Sequence, residues 1–170
     1  MNTIYANVED FRMIDNGRVA EDVVSVTPPN VTHTTSDMNS AGMSGTIRVP
    51  NPAKVEAMEF VVNHNNGENC GRLSDPGIHT MEFRLARGKY TVNKAQMSHE
   101  GVKYRVTAFH VSTEESQVEP GNPLASTERF SLIRYEKIVN GTTQTLVDLA
   151  NGNIVKNGIN TTNEIQALLK

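Results

Sequence analysis

Across 170 residues the chain carries 16 Lys and Arg against 19 Asp and Glu, a net charge of −3 with a pI near 5.9. Scattered, few basic residues exclude a protein that specifically grips nucleic acid, and a lone Cys70 excludes a disulfide framework or a multi-thiolate metal centre. No stretch approaches the ~20 apolar residues that span a bilayer, and Met1–Asp10 lacks the basic start and apolar middle of a secretory signal, so the expectation is one soluble domain over residues 1–170, made in a cytoplasm and not integral to a membrane.

Phe11–Ile14, the turn Asp15-Asn16-Gly17 and Val19–Val26 predict a hairpin, because Asn-Gly supplies the positive φ of a tight turn, and Pro28-Pro29 ends it. Val31–Asp37 is a Thr-rich extended segment that leads into Asn39-Ser40-Ala41-Gly42-Met43-Ser44-Gly45-Thr46. This run of small residues has no catalytic side chain. Its glycines permit close backbone approach, and Met43 between them is a flexible apolar knob suited to a neighbouring groove. Lys54–His64 then predicts a strand with Met58, Phe60 and Val62 on one face and Ala57, Glu59 and Val61 on the other. After Asn65-Asn66-Gly67, Glu68–Ser74 predicts one helical turn, stopped by Asp75-Pro76-Gly77.

Met81, Phe83 and Leu85 alternate with Glu82, Arg84 and Ala86, and Val102, Tyr104, Val106 and Ala108 alternate with Lys103, Arg105 and Thr107. Both patterns predict half-buried strands, separated by Gly88 and the segment Lys94–Gly101. Ser112–Ala125, with Glu114, Glu115, Glu119, Pro120, Gly121 and Pro123 and almost nothing apolar, predicts a long mobile loop (112–125), disordered in a free subunit. Thr127–Val139 and Thr142–Ala150, joined at Asn140-Gly141, predict the longest hairpin. There the apolar face changes from Phe130 and Leu132 to Ile133 and Tyr135, which implies a bulge or a strand buried on both sides. Ile154–Gly158 reads as a last short strand and turn. Thr161-Thr162-Asn163-Glu164 has capping-box spacing, which predicts a docked helix over about 162–169 with Ile165, Leu168 and Leu169 as its apolar stripe. The total is eight to ten strands with one or two short helices: a mostly β, antiparallel sandwich or small barrel.

Candidate chemistry is sparse. His33, His64, His79, His99 and His110 fall in no ligand spacing and are expected at the surface or at strand edges, so no metal, cofactor or catalytic site is indicated. Ala41–Gly45 lacks the lysine and the preceding strand of a phosphate loop. Glu114, Glu115 and Glu119 have no apolar walls to raise a carboxyl pKa for acid–base work. What remains is a β domain with long two-faced strands, the profile of a self-assembling subunit, whose exposed edges a closed ring would cover. The alternatives are another β-rich assembly component or a small sugar-binding module, the latter disfavoured by 5% aromatics and no Trp.

Two separated motifs carry a family likeness. Asn39-Ser40-Ala41-Gly42-Met43-Ser44-Gly45, followed by a short strand, two prolines and Val55–Asn63, resembles the Gly-Ala-Gly-Met-Asn-Gly region of the major tail tube proteins of P2-like contractile-tailed phages, a type also found in tail-like bacteriocins. Leu146-Val147-Asp148-Leu149-Ala150-Asn151-Gly152-Asn153-Ile154-Val155-Lys156-Asn157-Gly158-Ile159-Asn160 is similar to that family's closing pattern. The middle helix, Glu68–Ser74, is shorter than the family's.

The resemblance implies a structural subunit without enzymatic activity. It further implies hexameric rings that stack into a hollow tube with a continuous inner β-barrel, in a virion tail or tail-like particle assembled in the host bacterial cytoplasm. Implied partners are further copies of the chain, the tail sheath protein, baseplate and tail terminator proteins, and, inside the lumen, a tape measure protein and transiently DNA. A mildly acidic lumen would repel phosphate and keep DNA moving. On this reading Ala41, Gly42, Met43, Ser44 and Gly45, together with Glu114, Glu115 and Glu119, are the expected inter-subunit contacts.

Overall fold

A computed structural model describes residues 2–170. Those residues form twelve strands: β1 (Thr3–Asp15), β2 (Arg18–Ala20), β3 (Val23–Thr27), β4 (His33–Met38), β5 (Ile47–Val55), β6 (Glu59–His64), β7 (Ile78–Thr91), β8 (Gln96–Glu115), β9 (Ser126–Val139), β10 (Thr142–Asp148), β11 (Asn153–Lys156) and β12 (Ile159–Asn160). One helix, α1 (Asn163–Leu168), and two short 3₁₀ turns, Cys70–Ser74 and Val92–Lys94, complete the chain.

Every strand pairing is antiparallel. The main sheet runs β12-β11-β10-β9-β8-β7-β1-β2, and a branch leaves β9 through β6 to β3. Because β2 pairs with β1 while β3 pairs with β6, the segment Arg18–Thr27 joins the two ends of the circuit β1-β7-β8-β9-β6-β3 and curls it into a barrel. Asp22 makes that corner with φ 59, and its carboxylate lies where a side chain on Gly67 would stand. β4 and β5 form a separate two-stranded sheet whose residues are nearly all exposed, an arm outside the barrel.

The tight turns form where the sequence places them. Asn16-Gly17, Asn140-Gly141 and Asn157-Gly158 all take paired positive φ values, between 46 and 80, the geometry that matches the twist of flanking strands. The face change in β9 resolves as a bulge: Thr107 pairs with Arg134 and Ala108 with Leu132, leaving Ile133 as the extra residue. Buried side chains accordingly alternate from Ser126 to Leu132 and resume at Tyr135.

Several boundaries differ from expectation. Gly88 does not end a strand; it pairs with His99 inside the β7–β8 hairpin, which turns only at Val92–Ala95 and is longer than the β9–β10 hairpin. The bulged β1 leaves little room for a side chain there, since a Cβ at Gly88 would meet the Glu9 carboxylate at 2.9 Å and the Ala6 methyl at 3.2 Å. Lys54–His64 is two strands, with β5 passing through Pro50 and Pro52 before a break at Glu56–Met58. Those prolines are tolerated because β5 has β4 on one side and no strand on the other.

β8 extends through Glu114 and Glu115, which pair with Thr127 and Ser126. The loop between β8 and β9 is therefore Ser116–Ala125, closed by a Ser116 N–H to Ala125 carbonyl hydrogen bond of 2.9 Å. At the C-terminus the Thr162 side chain accepts no capping bond from the first-turn amides of α1; its hydroxyl instead accepts from the Ile154 amide. The expected apolar docking of α1 is only partial: Ile165 is half-buried, but Leu168 and Leu169 are 87% and 82% exposed. Gln166 holds the helix, donating to the Asn151 and Gly152 carbonyls at 3.0 and 2.7 Å.

The core is one cluster in which Phe60, Phe130, Met13, Met58, Met81, Val62 and Val147 are almost fully buried. Phe130 sits at its centre on β9. Phe130→Ala is expected to cost about 3–5 kcal/mol in denaturant unfolding, whereas Val118→Ala, at an exposed position, stays within about 0.5 kcal/mol. Equal effects at both positions would contradict this core.

Candidate functional site

Three surfaces and one buried cluster could carry a function. The first surface is the β4–β5 arm and its tip. Met38 pairs with Ile47 at the arm's end, and the Met43 amide donates to the Ser40 carbonyl at 3.0 Å to close the tip, with Gly42 at φ 92. Ala41, Gly42, Met43, Ser44 and Gly45 are thus together and exposed. Met38, Ile47 and Val49 expose apolar side chains beside them. A lone two-stranded ribbon is marginal in water; here it carries one exposed Arg48–Asp37 ion pair and few other side-chain anchors.

The second surface is the outer edge of β1. β2 pairs only with Met13–Asp15, so Thr3–Arg12 pairs with β7 on one side and with no strand on the other. Ile4, Tyr5 and Val8 are exposed along this edge.

The third is the outward face of β1, β7, β8 and β9. Arg12, Arg84, Lys103, Arg105 and Arg134 share it with Asp10, Glu82, Glu136 and Asp148, because the intervening residues Met13, Phe83, Tyr104 and Tyr135 point inward. Glu82 is the hub: it pairs with Arg84, with Lys103 at 3.6 Å and with Arg105 at 3.3 Å. Partial burial works against ionisation, but these three cations outweigh it and hold the Glu82 carboxyl below its ordinary value. Arg134 bridges Glu136 and Asp148 at 3.8 and 3.7 Å. The acidic excess suggested by net charge is not found on this face, where five cations meet four carboxylates and all but Arg12 and Asp10 are ion-paired.

Glu114, Glu115 and Glu119 lie away from the arm tip, at one end of the barrel. Glu114 pairs with Arg129 at 3.4 Å, and Glu119 accepts from Asn122 at 2.9 Å. The two expected contact groups are therefore separate surfaces.

Histidines give the largest departure from expectation. His64 and His79 are buried, and His110 is nearly so. Glu128, itself buried on β9, accepts from His64 Nε2 at 3.4 Å, His110 Nε2 at 2.7 Å and Thr113 Oγ1 at 2.6 Å. A second bulge in the β8–β9 pairing, this one on β8 at Val111, lets His110 and Thr113 both reach Glu128. His64 accepts from the Asn66 amide through Nδ1, which leaves its Nε2 as the donor to Glu128. Both ring nitrogens of His79 face oxygens, Asp15 at 3.1 Å and the Asp75 carbonyl at 2.8 Å.

No group of three or more His, Cys, Asp or Glu among the described residues has metal-holding geometry. Cys70 is buried, and burial first, then Asp22, pushes its thiol up to about 11, which leaves it unreactive at neutral pH. What this cluster does is satisfy every buried polar side chain at one end of the barrel. Composition gave no signal for it. The Glu128–Phe130 alternation with core residues on β9 was the one clue.

The family model described as phage tail tube protein FII matches residues 6–169. Among curated proteins none matches the chain. A chain of the sheath–tube complex of an extracellular contractile injection system (PVC), in its extended state, shares the fold with a TM-score of 0.56 at 9% identity, over 78% of this chain and 90% of that one. A chain from the baseplate of the anti-feeding prophage aligns at 9% identity over 75% and 90%, with a TM-score of 0.49.

Burial raises the Asp15 carboxyl above 3.8, against the opposing hydrogen bond and charge of His79. Folded Asp15 keeps its proton to higher pH than the unfolded chain does. Its stabilisation is full below pH 3.8 and is lost as pH rises through the raised value. Asp15→Asn is expected to flatten the fall in stability across that window, measured by denaturant unfolding at a series of pH values; an unchanged slope would contradict this assignment.

Proposed function

The chain belongs to the phage tail tube protein FII family and is a structural tail tube subunit; from that premise we propose that its tube is that of a contractile tail or tail-like particle, and how it assembles. Six copies form a ring, rings stack into a hollow tube, and the unpaired edge of β1 hydrogen-bonds to the sheet of the neighbouring copy, so that the long strands become one continuous inner β-barrel. The observation that carries this reading is that edge. Ten residues of exposed, partly apolar strand are a template for another chain, and ring closure satisfies it without leaving a new edge.

The outward face of β1, β7, β8 and β9 then lines the lumen. Its paired charges neither bind a polyanion tightly nor repel it strongly, which suits a conduit through which DNA, or a puncturing device, passes. The β4–β5 arm lies on a neighbouring copy, with Met43 and its flanking small residues as the contact, and Glu114, Glu115 and Glu119 form another. No reaction is assigned to the subunit. Sheath protein surrounds the tube, baseplate and terminator proteins bound its ends, and a tape measure protein occupies the lumen during assembly in the host cytoplasm. Residues 1–170 act as one unit in this scheme.

Met43→Asp is expected to fold normally by circular dichroism and to lose polymerisation in sedimentation and negative-stain microscopy, because it places a charge in an apolar contact. Tubes of normal length from this variant would remove the arm tip from the interface.

A further inference from the structure

Methionine is divided unevenly over this chain. Met13, Met58 and Met81 lie in the core, each 2% exposed or less, whereas Met38, Met43 and Met97 are 56%, 38% and 64% exposed. Two of the exposed three sit on the β4–β5 arm. Met38 lies directly across from Ile47, and Val49 is two residues further along β5, so these three share one face of the ribbon. Met43 stands in the tip beyond them. The ribbon pairs with no other strand, and both thioethers are open to water. Met97 belongs to a different place, opposite Tyr90 beside the β7–β8 turn.

A thioether needs no deprotonation to react with a hydroperoxide. A sulfur lone pair attacks one oxygen of hydrogen peroxide, the S–O bond forms as the O–O bond breaks, and the proton of the attacked oxygen passes to the leaving one, which departs as water. Sulfur gives up two electrons and the peroxide takes them. The sulfoxide that results is polar and chiral where the thioether was apolar and adaptable. On the arm of a free subunit it is solvated and leaves the core untouched. In an apolar contact it is a strong acceptor buried without a donor, which is costly.

We infer that Met38 and Met43 form an oxidative modification site on the arm, where hydroperoxides convert both thioethers to sulfoxides and so exclude the subunit from assembly without unfolding it. This rests on the reading above that the arm lies on a neighbouring copy. Modification is confined to free subunits, because assembly covers the site, and it is reversible, because methionine sulfoxide reductases return the thioether. The buried Met13, Met58 and Met81 are out of reach while the chain is folded. A damaged subunit is thus distinguished from a sound one at the moment of incorporation, by the contact itself.

The test treats the full-length chain with hydrogen peroxide before and after polymerisation. Peptide mass spectrometry locates the added oxygens, circular dichroism reads the fold, and light scattering gives the concentration at which polymer forms. The free chain should gain oxygen at Met38, Met43 and Met97 but not at Met13, Met58 or Met81, keep its circular dichroism, and polymerise only at a concentration raised by about tenfold or more. Sulfoxide reductase treatment should restore the original value, and polymer treated with peroxide should be spared at Met38 and Met43. Met38→Leu with Met43→Leu, a swap that keeps apolar volume, should polymerise within about threefold of the original and lose its sensitivity to peroxide, whereas Met97→Leu should keep it. An oxidised chain that polymerises as the untreated one does, or a sensitivity that persists in the double leucine variant, would overturn the inference. Met43→Asp judges the arm contact without an oxidant: if it blocks polymerisation while peroxide does not, only the inference falls, and if neither has an effect the arm reading falls with it.

Discussion

β9 holds this subunit together because its backbone is shared among three partners. Along one edge it pairs with β8 over its whole length; along the other, Ser126–Ser131 pairs with β6 and Arg134–Val139 pairs with β10. The Ile133 bulge makes that division possible. It turns the strand between the two neighbours, and the amide of Leu132 and the carbonyl of Ile133 bond to Met58 and Leu149 on either side of the split. Without the extra residue the inward row Glu128, Phe130 and Leu132 would continue onto the wrong face beyond it, and Tyr135 would leave the core. The barrel on one side of β9 and the open sheet on the other both follow from this local irregularity.

The same hydrogen-bond accounting explains why the fold is unfinished as a monomer. Among several one-sided strands β1 leaves the longest bare edge of the main sheet, ten residues, and the β4–β5 arm forms a second sheet with its apolar side chains in water. Side-chain chemistry gives little reason for either feature. Copies of the same chain give a sufficient one, since an edge and an arm are both satisfied by a neighbour in a closed ring. Within the subunit, most of the charge on the outward face of the sheet is paired, around Glu82 and around Arg134.

Much of the architecture was legible in the sequence wherever a local rule governs. Asn-Gly at residues 16, 140 and 157 marked three turns, Asp75-Pro76-Gly77 stopped the 3₁₀ turn, and the shift of apolar face between Leu132 and Tyr135 announced the bulge. What failed depends on partners distant in the chain. Gly88 reads as a break, yet it lies within a strand because Glu9 and Ala6 of β1 crowd it. Pro50 and Pro52 read as interruptions, yet an edge strand in a two-stranded arm has no second neighbour to disappoint. His64 and His79 read as surface residues because nothing nearby in sequence shows Glu128 and Asp15 waiting for them. Capping-box spacing at Thr161–Glu164 failed similarly, since the Thr161 hydroxyl donates to the Pro52 and Ile154 carbonyls instead, and the helix is capped at Thr162, whose hydroxyl is used by Ile154 and Asn160. Of the expected contact residues, Ala41–Gly45 fall at an exposed tip as anticipated, whereas Glu114 and Glu115 extend a strand and leave Glu119 alone in the loop.

The most direct test is a cryo-electron microscopy reconstruction of whatever the purified full-length chain forms as concentration is raised. The account predicts a hollow tube of uniform width in which the outer edge of β1, from Thr3 to Arg12, is hydrogen-bonded to a strand of the adjacent copy. A polymer in which that edge faces solvent, with copies joined through other surfaces, would contradict it.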